Sequence, residues 1–405
     1  TGFYIEAGGQ VDDTGYIRYL PLFSGKMGGA GGGSGWEIEV TAMRRASAGV
    51  IVHLGTVISG QPRVGDQAIA EVDLMRRHDI MRNHTATHLL HKALHTVLSD
   101  QAKQAGSLVA PTYLRFDFNH PEALTSDQLE RIERMVNEAI AADMPVHKET
   151  KSLDDAKKEG AMALFGEKYG ETVRTISILS SSGSDTPKEH NVHKYSYELC
   201  GGTHLERTSD IGAFLIVSEG SVAANVRRIE AVTGRGAYEL IAKRFKTLKQ
   251  TAAMLKSSVD EVPHKVALLE EELTAKTKQI SVIRAELAKN QFSEILPVAQ
   301  SIKDTTVLAA EVPDVDADTL RLLADEFRAF YTSGVCVRAS NPDGKSIVIA
   351  CVTDDLVKRG LKAGDLITGI GGKGGGRPTM AQGSLTGDVG DALDKVTKIV
   401  EEKLK

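Results

Sequence analysis

Long apolar runs are missing from this 405-residue chain; none approaches the roughly 18 residues that cross a bilayer, which excludes a membrane-spanning helix. Cysteine is scarce. Cys200, Cys336 and Cys351 are too few for a disulfide framework and fit a reducing, cytoplasmic setting. A strong charge of one sign is also missing: the formal net charge is −5, so a nucleic-acid surface has to be a local patch. Aromatic residues are only 5% of the chain while glycines number 39, so turns and small-residue loops carry much of it. What is present is an ordinary globular composition, 41% hydrophobic and 25% charged, which excludes wholesale disorder. The length suits two to four domains. The opening Thr1-Gly2-Phe3-Tyr4 has neither an initiator Met nor signal-peptide character, so the chain reads as a fragment.

The pattern predicts an α+β multidomain protein in four parts. Residues 1–70 read as short strands separated by glycine-rich turns, with strands at Phe3-Tyr4-Ile5, Trp36 to Val40 and Gly49 to Leu54. The run Gly28 to Gly35 reads as a hairpin tip, because no helix follows it to aim an N-terminus at an anion. Residues 71–236 read as mixed α and β, with a helix from Asp79 to Leu98, a strand at Leu114 to Phe118 and a capping box at Thr125 to Gln128. Further strands are expected at Val173 to Leu179, Ala213 to Ser218 and Asn225 to Val232, with a serine-rich loop over 180–188. Residues 237–296 carry two heptad stripes, Ile241 to Leu255 and Val266 to Leu287, divided by the capping-box form Ser258 to Glu261. They predict a helical hairpin that serves as a spacer or as a dimer seam. Residues 297–405 read as a small α/β domain with helices at Asp316 to Tyr331, Leu356 to Lys362 and Val389 to Leu404.

The chemistry concentrates in two places. On the Asp79 helix, histidines at 84, 88, 91 and 95 fall on one stripe, and His84 with His88, or His91 with His95, can each share a metal. The two pairs are equivalent by spacing. Far downstream, Cys200-Gly201-Gly202-Thr203-His204 sets a thiol and an imidazole four apart on a loop that glycine lets turn tightly; these are ligands that zinc prefers.

His84-Thr85-Ala86-Thr87-His88 followed by Cys200 to His204 resembles the editing domain of alanyl-tRNA synthetase. The surrounding segments agree: Glu6 to Gln10, Asp13 to Gly15, Met81 to His84, Gly106 to Val109, Leu114 to Phe118 and Val226 to Ala231. The resemblance spans essentially the whole chain and covers the family's editing and C-terminal portions. It implies a small β-barrel-like N-terminal domain, a mixed α/β zinc-containing editing domain, the hairpin linker and a C-terminal domain that binds tRNA. Asp12 and Asn225 stand where the family more often has glycine, and the second change is mild because Asn tolerates positive φ.

In that likeness His84, His88, Cys200 and His204 hold one zinc ion, while His91 and His95 become outer or RNA-facing residues. Thr87 and Gln104 line the amino-acid pocket, and Thr14 senses a serine hydroxyl. The implied reaction is hydrolysis of the ester in alanine tRNA wrongly charged with serine or glycine. An ATP-using aminoacylation module would lie upstream of Thr1 in the same protein, so no aminoacylation is expected from this fragment.

Gly369 to Pro378 contains G-x-G-x-x-G, but Arg377-Pro378 follows where a helix should start, so it is a weak nucleotide signal. Its amides with Lys373 and Arg377 suit a phosphate backbone instead, and Arg115, Arg227 and Arg228 are further phosphate candidates. Other readings are a free-standing deacylase of the same superfamily, and a non-catalytic tRNA-binding and dimerisation fragment with structural zinc. Threonyl-tRNA synthetase editing domains share the ligand spacing but not the glycine motif.

Overall fold

Two stretches of chain, Thr1–Gln250 and Thr251–Lys405, form separate units in the computed structural model of the protein, which describes residues 1–19, 35–47, 49–163, 169–181, 192–344 and 346–404. The glycine run at 28–35 and the serine-rich loop at 180–188 lie almost wholly outside the described residues.

The first unit begins with β1 (Gly15–Tyr19), β2 (Trp36–Ser47), β3 (Val50–Ser59) and β4 (Ile69–Val72), joined in an antiparallel sheet of order β3-β2-β1-β4. Phe3, Val40 and Met43 form its small core. The expected barrel-like closure needs β3 to pair with β4, and no such pairing occurs among the described residues. Asp12 is well used in place of glycine: its carboxylate accepts from the backbone N–H of Glu6 and, at 3.1 Å, of Met43.

Helix α1 (Leu74–Val97) starts five residues before the expected Asp79, because Asp73 caps it by accepting from the Arg76 amide. Leu74 and Met75 at its start are exposed, so this first turn carries no buried stripe for a sequence reading to detect. Further on the helix is buried on both sides. Ala86, Leu89, Leu90, Ala93 and Leu94 join the core, and the histidines occupy the rest of the surface.

β5 (Gln104–Val109), β6 (Leu114–Asn119), α2 (Ser126–Ala141), β7 (Val146–Ser152), α3 (Leu153–Lys158), β8 (Thr172–Ser181), β9 (Val192–Leu199), β10 (Phe214–Ala223) and β11 (Val226–Thr233) follow. The capping box at Thr125 and Gln128 opens α2 as expected. Helices α1 and α2 cover the sheet β10-β11-β6-β5, sealing Phe116, Phe118, Ile132, Phe214 and Ile229 between them. Asn225 turns the β10–β11 hairpin at φ 58, the left-handed conformation a glycine would supply. A third antiparallel sheet, β7-β8-β9, runs β9 alongside α1. Helix α4 (Gly234–Met254) then leaves β11.

The second unit opens with α5 (Val262–Ile295), whose start carries Pro263 and whose approach is held by Glu261 accepting from the Ser258 amide. After it come β12 (Gln300–Ile302), β13 (Thr305–Glu311), α6 (Ala317–Phe330), β14 (Gly334–Ser340), β15 (Ile347–Val352), α7 (Asp354–Lys358), α8 (Ala363–Gly369), β16 (Gly372–Arg377), β17 (Met380–Leu385) and α9 (Val389–Lys403). The helix expected over Leu356 to Lys362 is the shorter α7, which ends at Lys358 just before Gly360 takes φ +97; α8 starts only past the expected range. The strands form one sheet of order β12-β13-β14-β15-β17-β16, antiparallel except for β13–β14, which α6 connects. Alternation along β14 divides two cores. Val335, Val337 and Ala339 face α8 and α9, and Cys336 faces α6 and Phe292 of α5.

Gly372 to Arg377, within the glycine-rich segment whose amides are expected to suit a phosphate backbone, is an edge strand. The glycines permit close pairing: a Cβ at Gly374 would overlap the Gln382 carbonyl, and one at Gly376 the Met380 carbonyl.

Candidate metal centre

The fold brings the two chemical segments together. Strand β9 ends at Leu199, and the loop Cys200 to His204 then crosses the histidine face of α1. The loop is pinned along its length. The Cys200 amide donates to Arg174 O at 3.0 Å, the Thr203 amide to Gln10 Oε1 at 2.8 Å, and the Leu205 amide to Thr85 Oγ1 at 3.1 Å. Arg174 also donates to Gly202 O. Gly202 sits where nothing larger fits, since a Cβ there would overlap the His84 ring and lie 2.9 Å from Gln10 Oε1.

His84, His88, Cys200 and His204 each offer one ligand atom, and these atoms all lie within 4.8 Å of one another. Cys200 Sγ is 3.3 Å from His84 Nε2 and 3.3 Å from His204 Nε2. The His84 and His88 rings are nearly parallel, 5.7 Å apart, with the His204 ring tilted 4.3 Å from one and 4.9 Å from the other. The remaining ring nitrogens are held from behind. His84 Nδ1 meets Gln10 Oε1 at 2.6 Å, His88 Nδ1 meets Glu198 Oε2 at 2.9 Å, and His204 Nδ1 lies 3.5 Å from Thr85 Oγ1. Such outer partners fix ring orientation and tautomer in metal sites.

The donor set passes a direct test of fit. His88 Nε2 is buried and has no hydrogen-bond partner, a state that costs free energy in a closed core and that a cation relieves. Electrostatics agree. Burial would raise the Cys200 thiol, yet the adjacent His84 and His204 rings hold it well below the ordinary value, as a thiolate ligand requires. Burial, followed by the charge of His84, pushes His204 down to about 3, which keeps it neutral and able to ligate. His88 is the exception: burial opposes its charge, but Glu198 and Cys200 override it and raise that ring to about 10, so a bound cation would have to displace its Nε2 proton. Three imidazoles and one thiolate form a set that zinc accepts.

Beside this cluster is a cavity of about 160 Å³ whose lining includes His84, His88, Thr87, Gln104, Ser107 and Glu198. Gln104 donates to Ser107 Oγ at 3.1 Å. Thr87 donates to Asn83 O at 2.8 Å, back-bonding to its own helix and leaving the oxygen lone pairs for an incoming donor. Thr14 is not among the described lining residues; its carbonyl accepts from the Asp73 amide at the entry to α1. Of the outer histidines, His91 is 2% exposed and His95 half-buried.

The phosphate candidates divide. Arg227 makes a paired contact with Glu219 at 2.6 and 2.7 Å, and Arg228 another with Asp117 at 2.7 and 2.8 Å; Arg115 Nε lies 3.9 Å from the same Asp117. Lys373 and Arg377 are exposed on β16 and form no ion pair among the described residues. Sequence reasoning gave no role to Gln10 or Glu198. Glu198 was findable, because it lies two residues before Cys200 on a strand and so faces the same side.

Comparison with known proteins followed the same segments. The family described as the threonyl and alanyl tRNA synthetase second additional domain matches residues 173–230, and the DHHA1 domain matches residues 304–405. Alanine–tRNA ligase of Roseiflexus sp. (strain RS-1) is 42% identical over 414 residues, covering 99% of this chain and 44% of that protein. The Bacillus subtilis (strain 168) enzyme is 41% identical over 409 residues, covering 100% and 43%. The chain therefore spans less than half the length of the curated relatives it matches. The crystal structure of the C-Ala domain from Aquifex aeolicus alanyl-tRNA synthetase is 26% identical, covers 26% of this chain and 96% of that one, and has a TM-score of 0.23.

Proposed function

We propose that this chain, related to the alanine–tRNA ligases along essentially its whole length, hydrolyses the ester of alanine tRNA mischarged with serine or glycine, in a zinc site built by His84, His88, Cys200 and His204. The observation that carries the reading is the convergence of three imidazoles and a thiol beside a cavity of about 160 Å³ with polar groups on its wall.

The need for such a site is physical. A pocket shaped for alanine cannot strongly exclude glycine, and rejects one added hydroxyl by apolar fit only about a hundredfold. A second site supplies the missing discrimination by recognising that hydroxyl. The Thr87 oxygen and the Gln104–Ser107 pair are the groups on this chain placed to do so, and the small volume excludes large side chains. Thr14 retains the role that the resemblance gives it only if substrate brings its segment to the cavity. Zinc, when bound, supplies a positive centre that polarises the ester carbonyl or orients water. His84, His88, Cys200 and His204 would make a closed set of four, so a bound zinc would chiefly organise these residues at the cavity wall where the tRNA end is received. Hydrolysis adds water across the ester, releasing the free amino acid and the terminal hydroxyl of the tRNA.

With zinc-loaded protein, serine-charged alanine tRNA should lose its ester at least tenfold faster than alanine-charged tRNA in a deacylation assay. Equal rates for the two esters, or full activity after zinc is chelated, would refute the reading.

The second unit supplies the grip on RNA through β16. Lys373 and Arg377 are the cations there that no carboxylate occupies among the described residues, whereas Arg227 and Arg228 are committed within the fold. Lys373→Ala should weaken tRNA binding across sequences and lower the salt slope of the binding constant by about 1. Arg227→Ala should leave that slope unchanged and lower thermal stability, since it strands Glu219. Equal slopes for Lys373→Ala and parent would remove β16 from the RNA surface.

The α5 stripe Val266, Leu269, Leu273, Ile280, Ile283 and Leu287 is exposed, 68% at Leu273. Its heptad spacing favours a second copy, making a homodimer through 237–405. Sedimentation at micromolar concentration should give a dimer for the parent and a monomer for Leu273→Glu; a monomeric parent would exclude this. The full-length protein adds the upstream ATP-dependent aminoacylation module and works in the cytoplasm. None of the described helices is long and apolar enough to cross a membrane.

A further inference from the structure

Behind the metal set, the Glu198 carboxylate is clamped between two imidazoles of α1. Its Oε2 is 2.9 Å from His88 Nδ1, and its Oε1 is 3.2 Å from His91 Nδ1 and 3.1 Å from Ser196 Oγ. Glu198 is 2% exposed, as is His91, so neither group exchanges its partner for water. We propose that His91 is a positioning residue for the metal centre: by holding one oxygen of Glu198 while His88 holds the other, it fixes the direction in which His88 presents Nε2. The proposal rests on the metal reading above.

Three features support it. First, the Glu198 carboxylate lies 2.9 Å from His88 Nδ1, at ion-pair distance though off hydrogen-bond geometry, so the opposite nitrogen Nε2 is the ring atom that faces the other ligand groups. Second, His91 is itself immobile, its ring packed 5.2 Å from Phe116 and 4.4 Å from His95. Third, His91 Nε2 is buried and unpartnered. A phenylalanine would fill the same space without stranding a nitrogen, so the histidine is explained by its one engaged atom, the donor to Glu198. Without that donor only Ser196 would restrain Oε1, and the carboxylate could turn away from His88. His91 and His95 do not form a second metal site, because no third ligand group joins them among the described residues.

The test is zinc affinity, measured by competition with a chromophoric chelator, together with imidazole nitrogen chemical shifts of the zinc-loaded protein. His91→Phe should bind zinc about 10-fold more weakly, at the low end of the ~10–100-fold seen for outer-shell partners, and the His88 nitrogens should lose their single Nδ1–H, Nε2-metal pattern. His91→Gln, which can donate an amide N–H to Glu198, should recover most of the affinity. Glu198→Gln should lose at least as much as His91→Phe, which covers the case in which the phenylalanine variant folds poorly. Parent-like affinity and unchanged His88 signals in His91→Phe would overturn the inference alone. A parent that takes up no zinc in the same titration would overturn the metal reading and the inference with it.

Discussion

Cys200→Ala is expected to drop bound zinc from one equivalent to near zero and to cut hydrolysis of the serine ester by a factor of a hundred or more. The thiolate carries the only full negative charge in the donor set, and two of the three imidazoles lie against it, His84 Nε2 and His204 Nε2 each at 3.3 Å. Removing it leaves three buried rings around a cation, with only the Glu198 carboxylate behind His88 to offset desolvation. His88→Ala should behave alike, since it deletes the one ring of the four-residue set whose Nε2 has no hydrogen-bond partner among the described residues. Metal content by mass spectrometry of the intact protein and single-turnover deacylation check both. A Cys200→Ala variant with a full equivalent of zinc would show that the thiolate is not a ligand. Full hydrolysis in a zinc-free variant would separate the metal from the reaction.

Gly202→Ala is expected to be nearly as damaging, although it removes no functional group. The new methyl would overlap the His84 ring and crowd Gln10 Oε1, the atom that both orients His84 and accepts from the Thr203 amide. Either the ring or the loop has to move. Overpacking of this kind costs about 1–3 kcal/mol, and a ligand displaced by an ångström loses its place in a tetrahedral set. Gly201→Ala is the matched control, because a Cβ there meets nothing within 4 Å. We expect zinc affinity to fall by at least tenfold in Gly202→Ala and to stay near parent in Gly201→Ala. Equal affinities would mean that the loop has slack not evident from its hydrogen bonds.

Much of the first unit was legible in sequence because its signals are local. The Thr125–Gln128 box, the alternation at Leu114 to Phe118 and the two four-residue ligand spacings each lie within a turn or two of chain. What escaped was set by distant partners. The start of α1 was missed because its first turn faces solvent and only Asp73 marks it. The Gly372 to Arg377 segment carries no strand signal in its composition, and becomes a strand only because β17 offers a backbone that glycine alone can approach so closely. Spacing left His84/His88 and His91/His95 equivalent. The fold separates them by where Cys200 arrives, with the first pair meeting the sulfur and the second reaching the site only through Glu198. Gln10 carried no signal of its own, since its role exists only once separate segments have met, and Glu198 was marked only by its place two residues before Cys200.

The apolar interiors of the two units share no member: one set gathers around α1 and α2, the other on the faces of the β12–β17 sheet. The ligand cluster belongs wholly to the former and the glycine edge strand to the latter. If the proposed function holds, depriving the chain of zinc should thus spare the half proposed to bind tRNA. The expected remainder would occupy mischarged tRNA without clearing it, so a scarcity of metal would turn the proposed proofreader into a competitor for its own substrate.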